Sequence, residues 1–190
     1  MKITDIRNNE QLQQFVATKN KAKYIFFWGH QETSGKVTKS CFSQWYESSF
    51  EIERVKYQTA EHFMMAEKAR LFGDAKLESK IIAASNPGEA KALGRSVANF
   101  SESLWNEKRF NIVVQANLAK FRQNPSLQEF LLNTGDRILV EASPVDKIWG
   151  IGLAQDSPHI DNPFKWKGLN LLGYALMEVR SQLQTTPVEP

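Results

Sequence analysis

Two asparagine–proline steps, Asn86-Pro87 and Asn124-Pro125, and a glycine at Gly73 cut the middle of this sequence into short helices. An asparagine placed just before proline is a start signal. Its side-chain oxygen can accept an orphan N–H of the first turn, and proline at the first helical position has no N–H to leave unbonded. The period turns helical at Thr59, itself a plausible N-cap, and the first helix is expected to reach about Phe72, with Gly73 as its stop. Further helices are expected over Asp74–Ala84, Pro87–Val97, Ser101 or Ser103 to Arg122, and from Pro125 to the Asn133-Thr134-Gly135 turn.

The flanks carry fewer signals. A short helix after Asn8 or Asn9 is followed by a polar turn. Tyr24–Trp28 is a short aromatic run that reads as a strand. Residues 29–40, rich in Gly, Ser, Thr and Lys, read as a mobile loop. Phe50–Tyr57 reads as a strand with a bulge where its alternation slips, and Ile138–Glu141 as another short strand. Residues 142–166 look like an ordered functional loop. A last amphipathic helix is expected from Lys167 to about Leu183, with Leu169, Leu172, Leu176 and Val179 as its buried stripe. The fold class is therefore α+β: a helix-rich single domain with a few short strands. Residues 1–23 form a helical extension, 24–183 the domain and 184–190 a frayed tail.

Composition narrows the function. With 42% apolar and 24% charged residues, the chain has the balance of a globular domain, not of a collagen-like or disordered one. One cysteine, Cys41, leaves no intrachain disulfide and no cysteine-based zinc site, and suggests a reducing, cytoplasmic setting. Residues 1–22 show no signal-peptide core, and no apolar run approaches the ~20 residues of a membrane span. A net charge of +3 suits a phosphorylated ligand better than a nucleic-acid-binding patch. Aromatics at 11% fit a ring-rich core or a pocket that stacks a planar ligand.

The helix after Thr59 carries the densest chemistry. Glu61 lies in its first turn, and Lys68, seven residues on, projects from the same face with Met64 and Met65 between them. Two readings fit: Glu61 caps the helix while Lys68 reaches water, or both border a ligand pocket. His62 has no metal-ligand partner at a useful spacing, so no metal is expected. Arg95 is either a phosphate fork or an exposed arginine at a helix end, and Trp105 is core or pocket wall. In the loop Asp146–Leu153, Asp146 can bond a sugar hydroxyl, orient a water or cap a turn. Trp149 offers a stacking face there, and Gly150 permits close approach. Asn170 is a polar residue among apolar ones and needs partners if buried.

Several stretches, taken together, resemble the NADAR (YbiA-like) family of N-glycosidases. They are FFW (Phe26–Trp28), CFSQW (Cys41–Trp45), YQTAEHFMMAEKA (Tyr57–Ala69), ALGRS (Ala92–Ser96), LWNEKR (Leu104–Arg109), DKIWGIGL (Asp146–Leu153) and WKGLNLLGYALMEVR (Trp166–Arg180). They follow the family's order across residues 24–181. The family often has Asn where Gln44 stands and Pro where Gln58 stands. The resemblance implies hydrolysis of the bond between a ribose C1 and a nitrogen, without a cofactor. It implies two substrate groups: phosphoribosylamino-pyrimidine intermediates of riboflavin synthesis, and ADP-ribose on guanine, with ADP-ribosylated nucleic acid as a partner in the second case. A non-catalytic ADP-ribose or nucleotide-binding module is the alternative. On this footing Glu61, Lys68 and Asp146 are the expected catalytic residues. Phe27, Trp28, Gln44, Arg95, Trp105, Trp149, Gly150 and Asn170 are expected to bind substrate. Glu61, Lys68, Trp105, Asp146 and Trp149 are expected to line one cleft.

Overall fold

Thr59, Asn86 and Ser101 each cap a helix in the middle of the chain, whereas the Asn124 side chain donates to the Ser49 and Lys120 carbonyls instead. The computed structural model describes residues 2–31 and 35–185. Two compact units divide the chain: Gln44–Pro125, and the described parts of Met1–Ser43 with Ser126–Pro190.

In the Gln44–Pro125 unit, strands β2 (Phe50–Ile52) and β3 (Val55–Tyr57) precede helices α2 (Ala60–Leu71), α3 (Ala75–Ile82), α4 (Pro87–Gly94) and α5 (Glu102–Gln123). Thr59 Oγ1 accepts the His62 N–H, Asn86 Oδ1 the Glu89 N–H and Ser101 Oγ the Leu104 N–H. Each such cap contributes about 1 kcal/mol. Gly73, at φ +74°, follows α2 as the stop. Helices α3, α4 and α5 and strand β3 all pack on α2. That central position explains why α2 is buried around most of its circumference, through Ala60, Phe63, Met64, Met65, Ala66 and Ala69.

Two expectations are corrected in this unit. Phe50–Tyr57 is an antiparallel hairpin, not one bulged strand, with Phe50 opposite Tyr57 and Ile52 opposite Val55. The slip in alternation is its two-residue turn, where Glu53 and Arg54 take φ +52° and +67°. Two successive positive φ values match the twist of a hairpin, but the usual Asn-Gly signature is absent. Helix α4 ends at Gly94, short of Val97, which is buried in the turn that follows.

The other unit holds α1 (Asn9–Ala17), β1 (Tyr24–Phe27), α6 (Pro125–Leu132), β4 (Ile138–Glu141) and α7 (Leu171–Thr185). Asn8 caps α1 by accepting the Gln11 N–H. β1 and β4 pair in parallel, from Tyr24 against Ile138 to Phe27 against Glu141, and α7 packs on β4. The far end of the expected 29–40 loop is ordered: a 3-10 turn spans Lys39–Phe42 and buries Cys41 and Phe42.

Helix α7 begins at Leu171, not Lys167, and Leu169 is 47% exposed, outside the buried stripe it was assigned to. The reason is close packing just before the helix and in its first turn. A Cβ on Gly168 would lie 2.3 Å from the Gly150 carbonyl oxygen, and one on Gly173 would lie 2.0 Å from the Leu139 carbonyl oxygen. The segment is drawn tightly against β4 and its following loop, and Asn170 turns it into the helix at φ +53°. Gln184 and Thr185 continue α7, and the rest of the expected tail lies outside the described residues.

Candidate active site

Glu61 is 2% exposed, although it sits where a helix usually meets water. Its burial follows from the central place of α2. The backbone locks it further: the Glu61 N–H donates to the Gln44 carbonyl at 3.0 Å. Gln44 is itself buried, and its Oε1 accepts from Asn117 Nδ2 on α5 at 2.7 Å. Asn117 Nδ2 also donates to the Val113 carbonyl at 2.9 Å. Thus Gln44 ties the first turn of α2 to the buried face of α5, and the reading of Glu61 as a solvated cap does not hold.

Lys68 forms a second group in the same unit. Its Nζ donates to the Gly94 carbonyl at 2.8 Å and lies 4.3 Å from the centroid of Phe100 and 5.7 Å from that of Trp105. Partial burial pushes the Lys68 pKa down, and the nearby Arg95 guanidinium adds to that. Arg95 is exposed at the C-terminal end of α4, and Trp105 is buried in the second turn of α5. Lys68, Arg95 and Trp105 are therefore neighbours, and so are Glu61 and Gln44. Along α2, seven residues set Glu61 and Lys68 about 10 Å apart.

His62, beside Glu61, is occupied by the fold. Its Nδ1 faces Thr59 Oγ1 at 2.8 Å and its Nε2 faces the Ala84 carbonyl at 3.2 Å. A carbonyl only accepts, so Nε2 carries the proton and Nδ1 accepts from the threonine hydroxyl. Burial lowers its pKa, which keeps the ring neutral.

The remaining expected residues lie in the other unit. Phe27 is buried at the end of β1, with its ring 5.4 Å from Phe42, while Trp28 is 55% exposed. Asp146 Oδ1 accepts the N–H groups of Ile148 at 2.8 Å and Trp149 at 2.7 Å, so it caps the turn that presents the half-buried Trp149. The Gly150 carbonyl accepts the Asn170 N–H at 3.1 Å. Asn170 is fully buried and its carboxamide serves β4: Oδ1 accepts the Glu141 N–H at 3.0 Å and Nδ2 donates to the Leu139 carbonyl at 2.9 Å. Asp146, Trp149, Gly150 and Asn170 are thus one hydrogen-bonded group.

Sequence reasoning missed Lys120. It is 0% exposed, and its Nζ lies 5.5 Å from the Tyr46 centroid and 5.3 Å from that of Phe121. The signal was its spacing: Val113, Ala116, Asn117 and Lys120 recur at three and four residues, which puts the lysine on the buried face of α5. It also missed Glu141, the half-buried last residue of β4 whose backbone Asn170 holds.

Comparison with known proteins identifies the family. The family model for the NADAR domain matches residues 26–184. An N-glycosidase of Acanthamoeba polyphaga mimivirus is 45% identical over 168 residues, covering 85% of this chain and 97% of that protein. An N-glycosidase of Nostoc punctiforme is 35% identical over 144 residues, covering 76% of this chain and 85% of the relative. The N-glycosidase YbiA of Escherichia coli is 33% identical over 144 residues, covering 76% of this chain and 79% of the relative. The solution structure of Escherichia coli YbiA superposes with a TM-score of 0.70 at 29% identity, covering 87% of each chain. A family match over residues 26–184, relatives matched over most of their own length and a shared helix-rich fold lead to one conclusion: this chain belongs to the NADAR domain family.

Proposed function

We propose that this chain hydrolyses the bond between ribose C1 and an exocyclic amine nitrogen in a phosphorylated glycosylamine. The N-glycosidase class comes from its relatives in the NADAR family. The substrates are phosphoribosylamino-pyrimidine intermediates of riboflavin synthesis or ADP-ribose joined to guanine, free or in a nucleic acid. The observation that carries the reading is Glu61: a carboxylate 2% exposed, in the first turn of the most enclosed helix of its unit. A buried ionisable group is costly to keep for stability alone and suits proton transfer in a water-poor site. Arg95 is assigned to phosphate and Trp105 to the heterocycle beside it. Phe27, Trp28, Gln44, Trp149, Gly150 and Asn170 keep a substrate-binding assignment and Asp146 a catalytic one. Gln44 and Asn170 would act through the backbone that they hold. No cofactor enters the reaction, and the lone, buried Cys41 suits a reducing cytoplasm. No helix among the described residues is long and apolar enough to cross a membrane.

The chemistry follows from an exocyclic glycosylamine. Its ribose ring opens to an imine at C1. The neutral amine of Lys68, favoured by its lowered pKa, adds to C1. The bond from C1 to the base nitrogen then breaks with its electron pair left on that nitrogen, the Lys68 nitrogen shares its lone pair with C1 to form the Schiff base, and Glu61 carries the protons that Lys68 loses to the leaving amine. Water hydrolyses the Lys68 Schiff base and releases the sugar as its aldehyde. Borohydride added during turnover should reduce that Schiff base and leave a sugar phosphate on Lys68, located by peptide mass spectrometry. No adduct, together with turnover retained in Lys68→Ala, would replace this route with direct attack of water on an oxocarbenium-like C1.

A further inference from the structure

We propose that Phe100 is a positioning residue for Lys68: its ring face and the Gly94 carbonyl hold the hydrogens of the Lys68 amine and leave the nitrogen lone pair free for C1 of the sugar. The inference rests on the Schiff-base route of the proposed function. It starts from an exposed ring. Phe100 is 46% exposed, so it adds little to the core. Yet its ring lies 4.3 Å from Lys68 Nζ, nearer than the Trp105 ring at 5.7 Å.

Local structure fixes both partners of the amine. The Phe100 ring packs on that of Phe72, with centroids 5.3 Å apart and planes at 63°. Phe72 ends α2 one turn beyond Lys68, on the same side of the helix. Just ahead of Phe100, the Ala98 N–H donates to the Asp74 carboxylate at 3.3 Å, and Asn99 turns the chain at φ +54°. Asparagine tolerates that left-handed backbone better than most residues, and the contacts on either side hold it there. The carbonyl is fixed as well. A Cβ on Gly94 would collide with Met65, so glycine lets the end of α4 close on α2 and bring its carbonyl to 2.8 Å from Lys68 Nζ.

The chemistry follows from what these partners can do. A neutral lysine amine has two N–H donors and one lone pair. A carbonyl oxygen only accepts. The face of an aromatic ring is the negative part of its quadrupole, so it takes an N–H too. Neither donates to nitrogen, so neither ties up the lone pair that must attack. Three tetrahedral directions surround the nitrogen besides its bond to the chain, and fixing two of them sets the third. Both acceptors also hold the ammonium. Partial burial and the nearby Arg95 guanidinium tilt Lys68 back toward the neutral amine.

The test uses the full chain and ribose 5-phosphate, and needs no glycosylamine. The Lys68 nitrogen adds to the aldehyde carbon C1 of the open sugar, and water leaves to give the imine. Samples quenched with borohydride at successive times take up hydride at C1, which fixes the sugar on Lys68 as a stable amine for peptide mass spectrometry. Rates are read on the alkaline plateau, where the amine is neutral in every variant, and against sugar concentration. Phe100→Leu keeps an apolar cover but removes the ring face. Its limiting rate should fall about tenfold or more, with the half-saturating concentration within about twofold of wild type. Phe100→Tyr keeps the face and should stay within about threefold in both. An unchanged limiting rate in Phe100→Leu, or an equal fall in the two variants, would overturn the proposal. A rise in the half-saturating concentration alone would overturn it by making Phe100 a binding residue. No adduct on Lys68 of the wild type would overturn it together with the Schiff-base route, and leave Glu61→Gln to test hydrolysis. An adduct without turnover of a glycosylamine would fault the substrate assignment, and the limiting rates would still decide the role of Phe100.

Discussion

At the scale of single residues, burial separates the chemistry from the scaffold. Arg95 is exposed and its guanidinium bears on Lys68, the arrangement expected of a phosphate fork. Arg95→Ala should raise KM for a phosphorylated substrate by about tenfold or more, the loss of one charge-assisted contact, and leave kcat within about threefold. Steady-state kinetics on a phosphorylated and a dephosphorylated substrate decide this: an equal effect on both would make Arg95 structural. His62 sets a pH dependence of stability. Its folded pKa lies below the unfolded 6.5, so the unfolded chain takes up a proton that the folded chain resists. Stability should therefore be full above the unfolded value and fall as pH drops from about 6.5 toward the folded value, then level off. Tm measured between pH 8 and 5 should show that decline, and His62→Gln should flatten it. A decline unchanged in the variant would assign it to other groups.

At the scale of elements, what was legible was what is encoded locally. Thr59, Asn86 and Ser101 announced their helices because a cap is a contract between a side chain and an N–H three residues away. The β2–β3 turn was hidden because Glu53 and Arg54 adopt left-handed backbone without the residues that normally mark it. The start of α7 was misplaced because a distant partner sets it: Asn170 spends its carboxamide on β4, and the helical period of the sequence does not record that. Lys120 was missed since a lysine reads as surface, and only the burial of its helix neighbours shows otherwise. Asn170→Ala tests the clasp on β4. It leaves the Glu141 N–H and the Leu139 carbonyl without their amide partner and puts alanine at φ +53°. Together these should cost about 3 kcal/mol or more, read as a lower urea midpoint with an unchanged m-value. A loss under about 1 kcal/mol would mean that the backbone there finds other partners.

At the scale of the whole molecule, the sequence pointed to the helix-rich α+β class, but not to the division at Gln44 and Pro125. Such a division depends on which distant segments meet, and no local signal marks it. The ends of the inserted unit are stitched to one another. Gln123 Nε2 donates to the Glu51 carbonyl and its Oε1 accepts the Glu51 N–H, while Asn124 Nδ2 donates to the Ser49 carbonyl at 3.3 Å. The family motifs quoted from the sequence fall on both units, in the helix that buries Glu61 and in the clasp around the end of β4.

The central claim is that Glu61 drives cleavage of a ribosylamine. Its most direct test is to incubate the wild type and Glu61→Gln with both substrate groups and follow the products by mass spectrometry. The account predicts that the wild type releases the free amine base together with ribose phosphate or ADP-ribose in equal amounts. It predicts that Glu61→Gln, folded to the same Tm within a few degrees, is slower by about 10²–10⁴-fold in kcat. Full activity in Glu61→Gln, or binding of both substrate groups by the wild type with no product at all, would contradict it.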